Sequence, residues 1–174
     1  MALYLIELTP ANASKDEATA LIETVSNSLS EGAELIETQV SADHKLIFAI
    51  IESENTAFAP ALTAAIGERA SVVGPDEVRL VGAELDDIKK LKKDADYLVE
   101  WDIPAEITME QYLTRKKANA PKYAEVPEVS FLRTYVREDT AKCLCFYDAP
   151  DEEAVVRARE AVSTPIDRLF KLHA

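Results

Sequence analysis

The sequence predicts an α+β fold built from two ferredoxin-like halves, and three observations carry that prediction. Tyr4-Leu5-Ile6-Glu7-Leu8-Thr9-Pro10 has an echo in Tyr97-Leu98-Val99-Glu100-Trp101-Asp102-Ile103-Pro104. Thr38-Gln39-Val40 matches Thr134-Tyr135-Val136, and Ile50-Ile51-Glu52 then pairs without a gap with Phe146-Tyr147-Asp148. The spacing is 13 residues in both copies (51 less 38, 147 less 134). The same order of elements follows each echo, and repetition of this kind fixes architecture ahead of any single motif. In a chain of 174 residues it leaves two halves of roughly 85 each. A domain that small buries only about 60% of its unfolded surface, so two of them gain by covering each other.

In the first half, residues 3–9 read as a strand. Ser14 with Glu17 three residues on is a capping box that opens a helix, and Ala18, Leu21, Ile22, Val25 and Leu29 give it one apolar face. Residues 34–41 and 45–52 are β-rich runs on either side of Ala42-Asp43-His44, which suits a hairpin. A helix from about 54 to 68, ended near Gly67, and a strand at Glu77-Val78-Arg79-Leu80-Val81 complete the order β-α-β-β-α-β. Residues 83–95 carry dense charge with Leu85, Ile88 and Leu91 three apart, as on a short exposed helix. The second half repeats the order with a strand at 97–103, a helix from Thr108 to about Asn119, strands near 129–137 and 141–148, a helix at 151–162 and a strand at 166–172. Asp151-Glu152-Glu153 places acid at the positive end of that last helix. The division is therefore residues 1–83, the more degenerate copy, a charged linker at 84–95, and residues 96–174.

Strand alternation sorts the side chains by face. By parity, Leu132, Thr134, Val136, Leu144 and Phe146 belong under the helices, while Phe131, Arg133, Tyr135, Cys143, Cys145 and Tyr147 share the bare face with Glu100. The first half offers Leu35, Glu37, Gln39, Ile47, Ala49, Ile51 and Glu7 at matching positions. Such a face is too apolar to leave in water. The expected arrangement is two bare faces packed sheet to sheet, an intramolecular pseudo-dimer of the α/β-barrel type.

Composition excludes several classes of function. The 19 Lys and Arg against 32 Asp and Glu give a net charge of −13, and no basic cluster is interleaved with aromatics. Nucleic acid and anionic membrane are poor partners for such a surface. Met1-Ala2-Leu3-Tyr4 runs into a strand with no basic leader, and no apolar run approaches the roughly 18 residues of a membrane span. The expectation is a soluble, cytoplasmic protein. Cys143 and Cys145, the two cysteines, point the same way on one strand, so a bond between them is awkward and reduced thiols are expected. With four glycines and no GxGxxG, GxxxxGK[ST], HExxH or GxSxG pattern, the sequence shows no catalytic signature.

Arg133-Thr134-Tyr135-Val136, the run Lys142-Cys143-Leu144-Cys145-Phe146-Tyr147-Asp148-Ala149-Pro150-Asp151-Glu152-Glu153-Ala154, and Thr164-Pro165-Ile166-Asp167-Arg168 resemble the small ferredoxin-like family called domain of unknown function 4242. The resemblance is good over residues 96–172 and weak but co-linear over residues 2–82. It implies a bacterial protein that pairs through its sheet, here as a tandem copy, and, from members described as nickel-binding, nickel or another transition metal as a cofactor. Nickel favours imidazole and thiolate. His44, in a predicted turn, and His173, beside the C-terminus, lie outside the matching motifs, which leaves Cys143 and Cys145 as the candidate metal ligands.

Glu7 and Glu100 occupy equivalent places on otherwise apolar strands, where a carboxylate must be paired, hydrated or protonated. One reading pairs Glu100 with Arg133, alone or together with Glu37. The other is a polar pocket in which Glu7, Glu37, Glu100, Arg133, Tyr135 and Tyr147 hold a small ligand, Arg133 supplying a fork for a carboxylate and the tyrosines supplying walls and hydroxyls. The function expected is that of a binding or accessory protein holding a small ligand or transition metal between its halves. A cofactor-independent enzyme of the monooxygenase or isomerase kind and a ligand-free interaction module are the alternatives. A homo-oligomer through remaining sheet edges is a further expectation.

Overall fold

Capping, turn and packing chemistry place the elements close to where the periodicities put them. The computed structural model describes residues 1–91 and 94–172, which form two compact units, residues 1–78 with 85–91 and residues 79–84 with 94–172. In chain order the elements are β1 (Ala2–Pro10), α1 (Lys15–Ser28), β2 (Glu34–Val40), β3 (Ile47–Ser53), α2 (Ala59–Ile66), β4 (Ala70–Val81), α3 (Leu85–Lys89), β5 (Tyr97–Asp102), α4 (Met109–Asn119), β6 (Ser130–Arg137), β7 (Lys142–Asp148), α5 (Glu152–Ala161) and β8 (Arg168–Lys171). The chain is α+β, and no helix among the described residues is long and apolar enough to cross a membrane.

In the first unit the strands lie in the order β2-β3-β1-β4. Ser14 Oγ accepts the Glu17 N–H at 3.1 Å and starts α1, whose buried Ala18, Leu21 and Val25 are the residues the periodicity selects. They pack on Tyr4, Ile6 and Leu8 of β1 and Ile47, Ala49 and Ile51 of β3. Each such fully buried aliphatic side chain contributes about 1.5–3 kcal/mol. The second helix starts later than the expected residue 54, because the Ala57 N–H donates to Asn55 Oδ1 at 2.9 Å and holds that stretch as a turn. Conversely, β4 begins at Ala70, well before Glu77. Gly74-Pro75 reads as a strand break, yet here it lies in a bulge: Leu5 pairs with Asp76 while Glu7 pairs with Val73.

In the second unit the order is β6-β7-β5-β8. Thr108 and Gln111 form a capping box at the start of α4, at 2.9 and 3.2 Å, and Asp151 Oδ1 accepts the Ala154 N–H at 2.8 Å to start α5. Beyond α4 the chain tightens into a 3-10 helix, Ala120–Glu125, which carries Tyr123. The core lies between these helices and Tyr97, Val99, Trp101, Cys143, Cys145 and Tyr147 of the sheet.

The facing of two strands differs from the parity expectation. Thr134 pairs with Cys145 and Val136 with Cys143, so an odd residue on β7 stands opposite an even one on β6. Cys143, Cys145 and Tyr147 therefore lie under the helices, and Leu144 and Phe146 on the other face with Tyr135. A bulge between Phe131 and Arg133 sends Phe131 to the helix side while Arg133 stays opposite, its guanidinium carbon 4.9 Å from the Phe146 ring centre. The first unit repeats the correction. There Leu35, Ile47, Ala49 and Ile51 face the helices, and a bulge separates Leu35 from Glu37. Both ladders share one register at an offset of 96 residues, from Glu34 opposite Glu52 and Ser130 opposite Asp148 (130 less 34) to Val40 opposite Ile47 and Val136 opposite Cys143 (143 less 47).

Gly74 has φ +104, and a Cβ there would lie 2.5 Å from the Leu5 carbonyl oxygen, whereas Gly32, at φ +93, has nothing within 4 Å. Gly74→Ala should lower the unfolding free energy by about 2 kcal/mol and Gly32→Ala by about 1 kcal/mol. Urea melts of the two variants check the order, and equal losses would show that the contact with β1 relaxes freely.

Candidate functional site

The helices of the second unit do not fill the space above its sheet, and a cavity of about 210 Å³ remains. Aromatic side chains wall it: Trp101 from β5, Tyr112 from α4, Tyr123 from the 3-10 helix and Phe131 from β6. Tyr123 stacks on Phe131 at 5.4 Å with 7° between the rings, and Lys116 Nζ lies 4.3 Å over the same Phe131 ring. Arg115 lies 5.5 Å over Trp101 and donates to the Ser163 carbonyl. Lys117 and Ala120, at the edge, are exposed.

Besides the basic residues of α4, polar groups on the lining come from β7 and α5. Ala154, Val155, Ala158 and Val162 make a buried helical stripe, and Arg159 occupies a place in that stripe with 2% of its surface exposed. Its Nη1 donates to Tyr147 Oη at 3.0 Å and its Nη2 to the Pro165 carbonyl at 2.6 Å, while Nε is buried with no acceptor. No carboxylate among the described residues reaches this guanidinium. Because arginine only donates, the Tyr147 proton is available to Tyr123 Oη, 2.7 Å away.

A buried cation without a carboxylate biases every acid near it. The hydrogen bond from Cys143 is the chief cause that holds the Cys145 thiol well below its ordinary value, with Lys116, Arg159 and the Thr134 hydroxyl, 3.1 Å from Sγ, adding to it. Cys143, which keeps the shared proton, is pushed well up by that same bond and by burial. Burial raises Tyr123 to about 12 and also pushes Tyr112 and Tyr147 well above the ordinary phenol value. Burial alone would lower Arg159, but negative charge at Cys145 and the bond to Tyr147 outweigh it and the guanidinium stays charged. The cavity thus combines a desolvated cation, a thiol of raised acidity and the neutral hydroxyls of Tyr112 and Tyr123, with Tyr147 bonded to Arg159 and Tyr123 next to it.

Of the residues singled out by sequence, Cys143, Cys145 and Tyr147 come together here. Glu100 lies on the other face, opposite Leu144, where it accepts from Arg168 Nε at 2.9 Å and stands 3.4 Å from Lys142 Nζ. Arg168, on β8 opposite Glu100, is the partner that sequence reasoning did not select. Arg133 and Tyr135 flank Phe146 on that same face. In the first unit Glu7 stands opposite Phe48, and Glu37 Oε1 accepts from Gln39 Nε2 at 3.1 Å. His44 sits in the β2–β3 turn with φ 62, and His173 lies outside the described residues. Among the described residues no group of three or more His, Cys, Asp or Glu is placed to hold a metal. Sequence reasoning missed Arg159, although its position in the apolar stripe of α5 was a readable signal.

A family model described as nickel responsive protein SCO4226-like matches residues 97–172. SCO4226 of Streptomyces coelicolor A3(2) is also a structural match, 19% identical over 46% of this chain and 98% of that chain, with a TM-score of 0.40. Over the whole length the chain shares its fold with TA0507, a provisionally assigned chlorite dismutase, at 16% identity, with 100% and 96% of the two chains covered and a TM-score of 0.56. A provisionally assigned monooxygenase of Lactobacillus acidophilus NCFM gives 11% identity, 99% and 94% coverage and a TM-score of 0.54. No curated protein matches the chain. Identities this low establish likeness of fold and leave activity to be argued from the site.

Two predictions follow from these arrangements. Thiolate absorbance in the near ultraviolet edge should be present in the native chain at neutral pH, persist in Cys143→Ser and vanish in Cys145→Ser, whereas an absorbance that vanishes only in Cys143→Ser would reverse the assignment. Glu100→Gln should cost about 2 kcal/mol in a denaturant melt because it removes the buried negative charge that Arg168 and Lys142 attend and turns an amide donor toward them. Arg168→Met should cost clearly less, since Lys142 remains beside Glu100, and equal costs would show that Lys142 contributes nothing. Arg168 also holds Asp102 below the ordinary carboxylate range, chiefly through their hydrogen bond. That contribution is complete above the unfolded value of about pH 4 and is lost as the pH falls through the lower folded one.

Proposed function

We propose that this chain is a binding protein for a small, flat organic anion, held in the cavity of its second unit with the negative group at Arg159 and the ring among Trp101, Tyr112, Tyr123 and Phe131. The observation that carries this reading is the Arg159 guanidinium, a cation 2% exposed that lines the cavity, meets no carboxylate among the described residues and keeps a buried Nε–H without an acceptor among them. A buried donor left unpaired costs roughly 1–3 kcal/mol, and a carboxylate supplied from outside would remove that cost and bring a counter-charge. A volume of about 210 Å³ is below the range usual for drug-sized ligands and suits a molecule of one ring or two.

Nickel enters through the family model on residues 97–172. The donors on the cavity do not fit a resident nickel ion: among the described residues two thiols and no imidazole line it, and Arg159 and Lys116 would place a dication among cations. An enzyme of the cofactor-independent kind is the second reading. It is supported by the fold shared with the provisionally assigned chlorite dismutase and monooxygenase and by a thiol of raised acidity near three phenols pushed up by burial. The halves are further inferred to be a duplicated ferredoxin-like unit whose bare faces cover each other, as in dimeric α/β barrels. The common register at an offset of 96, and the apolar residues on the face away from the helices in each unit, Leu5, Phe48 and Ile50 in the first and Leu98, Leu144 and Phe146 in the second, support that arrangement.

The chain's one tryptophan lines the cavity, so its emission reports on the site directly. Titration with 2-naphthoate should shift or quench Trp101 emission, and 2-naphthamide should bind about tenfold more weakly or worse because it offers Arg159 no charge. Equal affinities for acid and amide, or no response to either, would remove the anion site.

A further inference from the structure

We propose that Cys145 is the attachment point for a soft electrophile, an α,β-unsaturated carbonyl compound bearing a carboxylate, which the cavity holds with its carboxylate at Arg159 and its alkene against the sulfur. The inference rests on the anion-site reading above and adds a covalent step to it. The placement of the sulfur is its first support. Cys145 has 1% of its surface exposed, yet it lines the same cavity as Arg159 and Lys116, whose edge is exposed at Lys117 and Ala120. A small molecule that enters there meets the thiol without any unfolding of the sheet.

The neighbours of the sulfur are the second support. A cysteine that serves only as apolar filler packs against carbon. Here Thr134, directly across the ladder, donates its hydroxyl to Sγ at 3.1 Å. A hydroxyl donor on the sulfur, with cations on the same lining, favours the thiolate, which is the nucleophilic form of the group. Arg159 is the third support, because its buried guanidinium lines the same cavity and meets no carboxylate among the described residues, so it selects an electrophile that is itself an anion.

The step balances without an oxidant or a reductant. The Cys145 sulfur lone pair forms a bond to the β-carbon, the carbon–carbon π bond breaks, and its electron pair moves to the carbonyl oxygen as an enolate. Lys116, another cation on the lining, offsets that charge. The α-carbon then takes the proton of the Cys143 thiol, and Cys143 recovers one from solvent. The product is a thioether that contains every atom of the electrophile plus one proton.

The experiment treats the full chain with 3-benzoylacrylate, its ethyl ester and the saturated 3-benzoylpropionate, and reads intact mass, peptide maps and Trp101 emission. The expected result is one adduct per chain, mapped to Cys145. The acid should be favoured over the ester by about tenfold more than it is with glutathione, because only the acid pairs with Arg159. Benzoylpropionate should perturb Trp101 and slow the adduct, and Cys145→Ser should keep the perturbation while forming no adduct. An adduct on Cys143, or none at all, with benzoylpropionate still bound, would overturn the Cys145 step and leave the anion site standing. Failure of benzoylpropionate to bind, together with an acid-to-ester ratio like that of glutathione, would overturn both.

Discussion

One residue pair, Thr134 opposite Cys145, governs the chemistry of the second unit. Side chains alternate along a strand with a period of two, so fixing one pair fixes the face of all the others. With Thr134 and Cys145 level, Cys143, Cys145 and Tyr147 turn to the helices, where α5 delivers Arg159 and the 3-10 helix delivers Tyr123. A register slipped by one residue would put Leu144 and Phe146 beneath the helices instead. The guanidinium would then be buried against hydrocarbon, with neither phenol nor thiol in reach. The turn at Glu138–Ala141 and the bulge at Phe131–Arg133 therefore do more than shape the hairpin. They decide which groups share the dry side of the sheet.

Arg159 is the group with the most demanding requirements in that space. A desolvated charge persists only where its surroundings supply compensation, and the described partners are a phenol, a carbonyl and the nearby thiol pair. Two of its three kinds of nitrogen are satisfied by the fold and one is not. The arrangement resembles a binding site held ready more than a structural ion pair, for which a carboxylate on a neighbouring element would have served. Glu100 shows the contrast on the opposite face, where Arg168 and Lys142 both attend it and Arg168 also binds Asp102.

Much of the architecture was legible from residue order. Ser14 with Glu17 marked a helix start that its hydrogen bond reproduces, and the matched spacing of Thr38–Ile51 and Thr134–Tyr147 reappears as one shared ladder register. Facing was less legible. Equal parity on two strands means a shared face only when the residue numbers across the hairpin sum to an even value, and turn length, which periodicity does not reveal, sets that sum. The start of β4 was hidden for a related reason, since Gly74-Pro75 marks a bulge as readily as a break. Arg159 escaped notice because search for polar chemistry followed the strands, while its signal was a charged residue in the apolar stripe of a helix.

The shared register also sets the two units apart. At an offset of 96, Cys143, Cys145 and Tyr147 stand where the first unit has Ile47, Ala49 and Ile51, and Phe131 stands where it has Leu35. Aliphatic residues at those positions close an ordinary core, which tolerates exchanges that preserve volume. Their counterparts in the second unit answer to a charge, a hydroxyl chain and an open space at once. Under random mutation, one sheet should therefore drift freely among Val, Ile, Leu and Met while the other holds its residues fixed. A scaffold of this kind would evolve new ligands through one half and keep its thermal margin in the other.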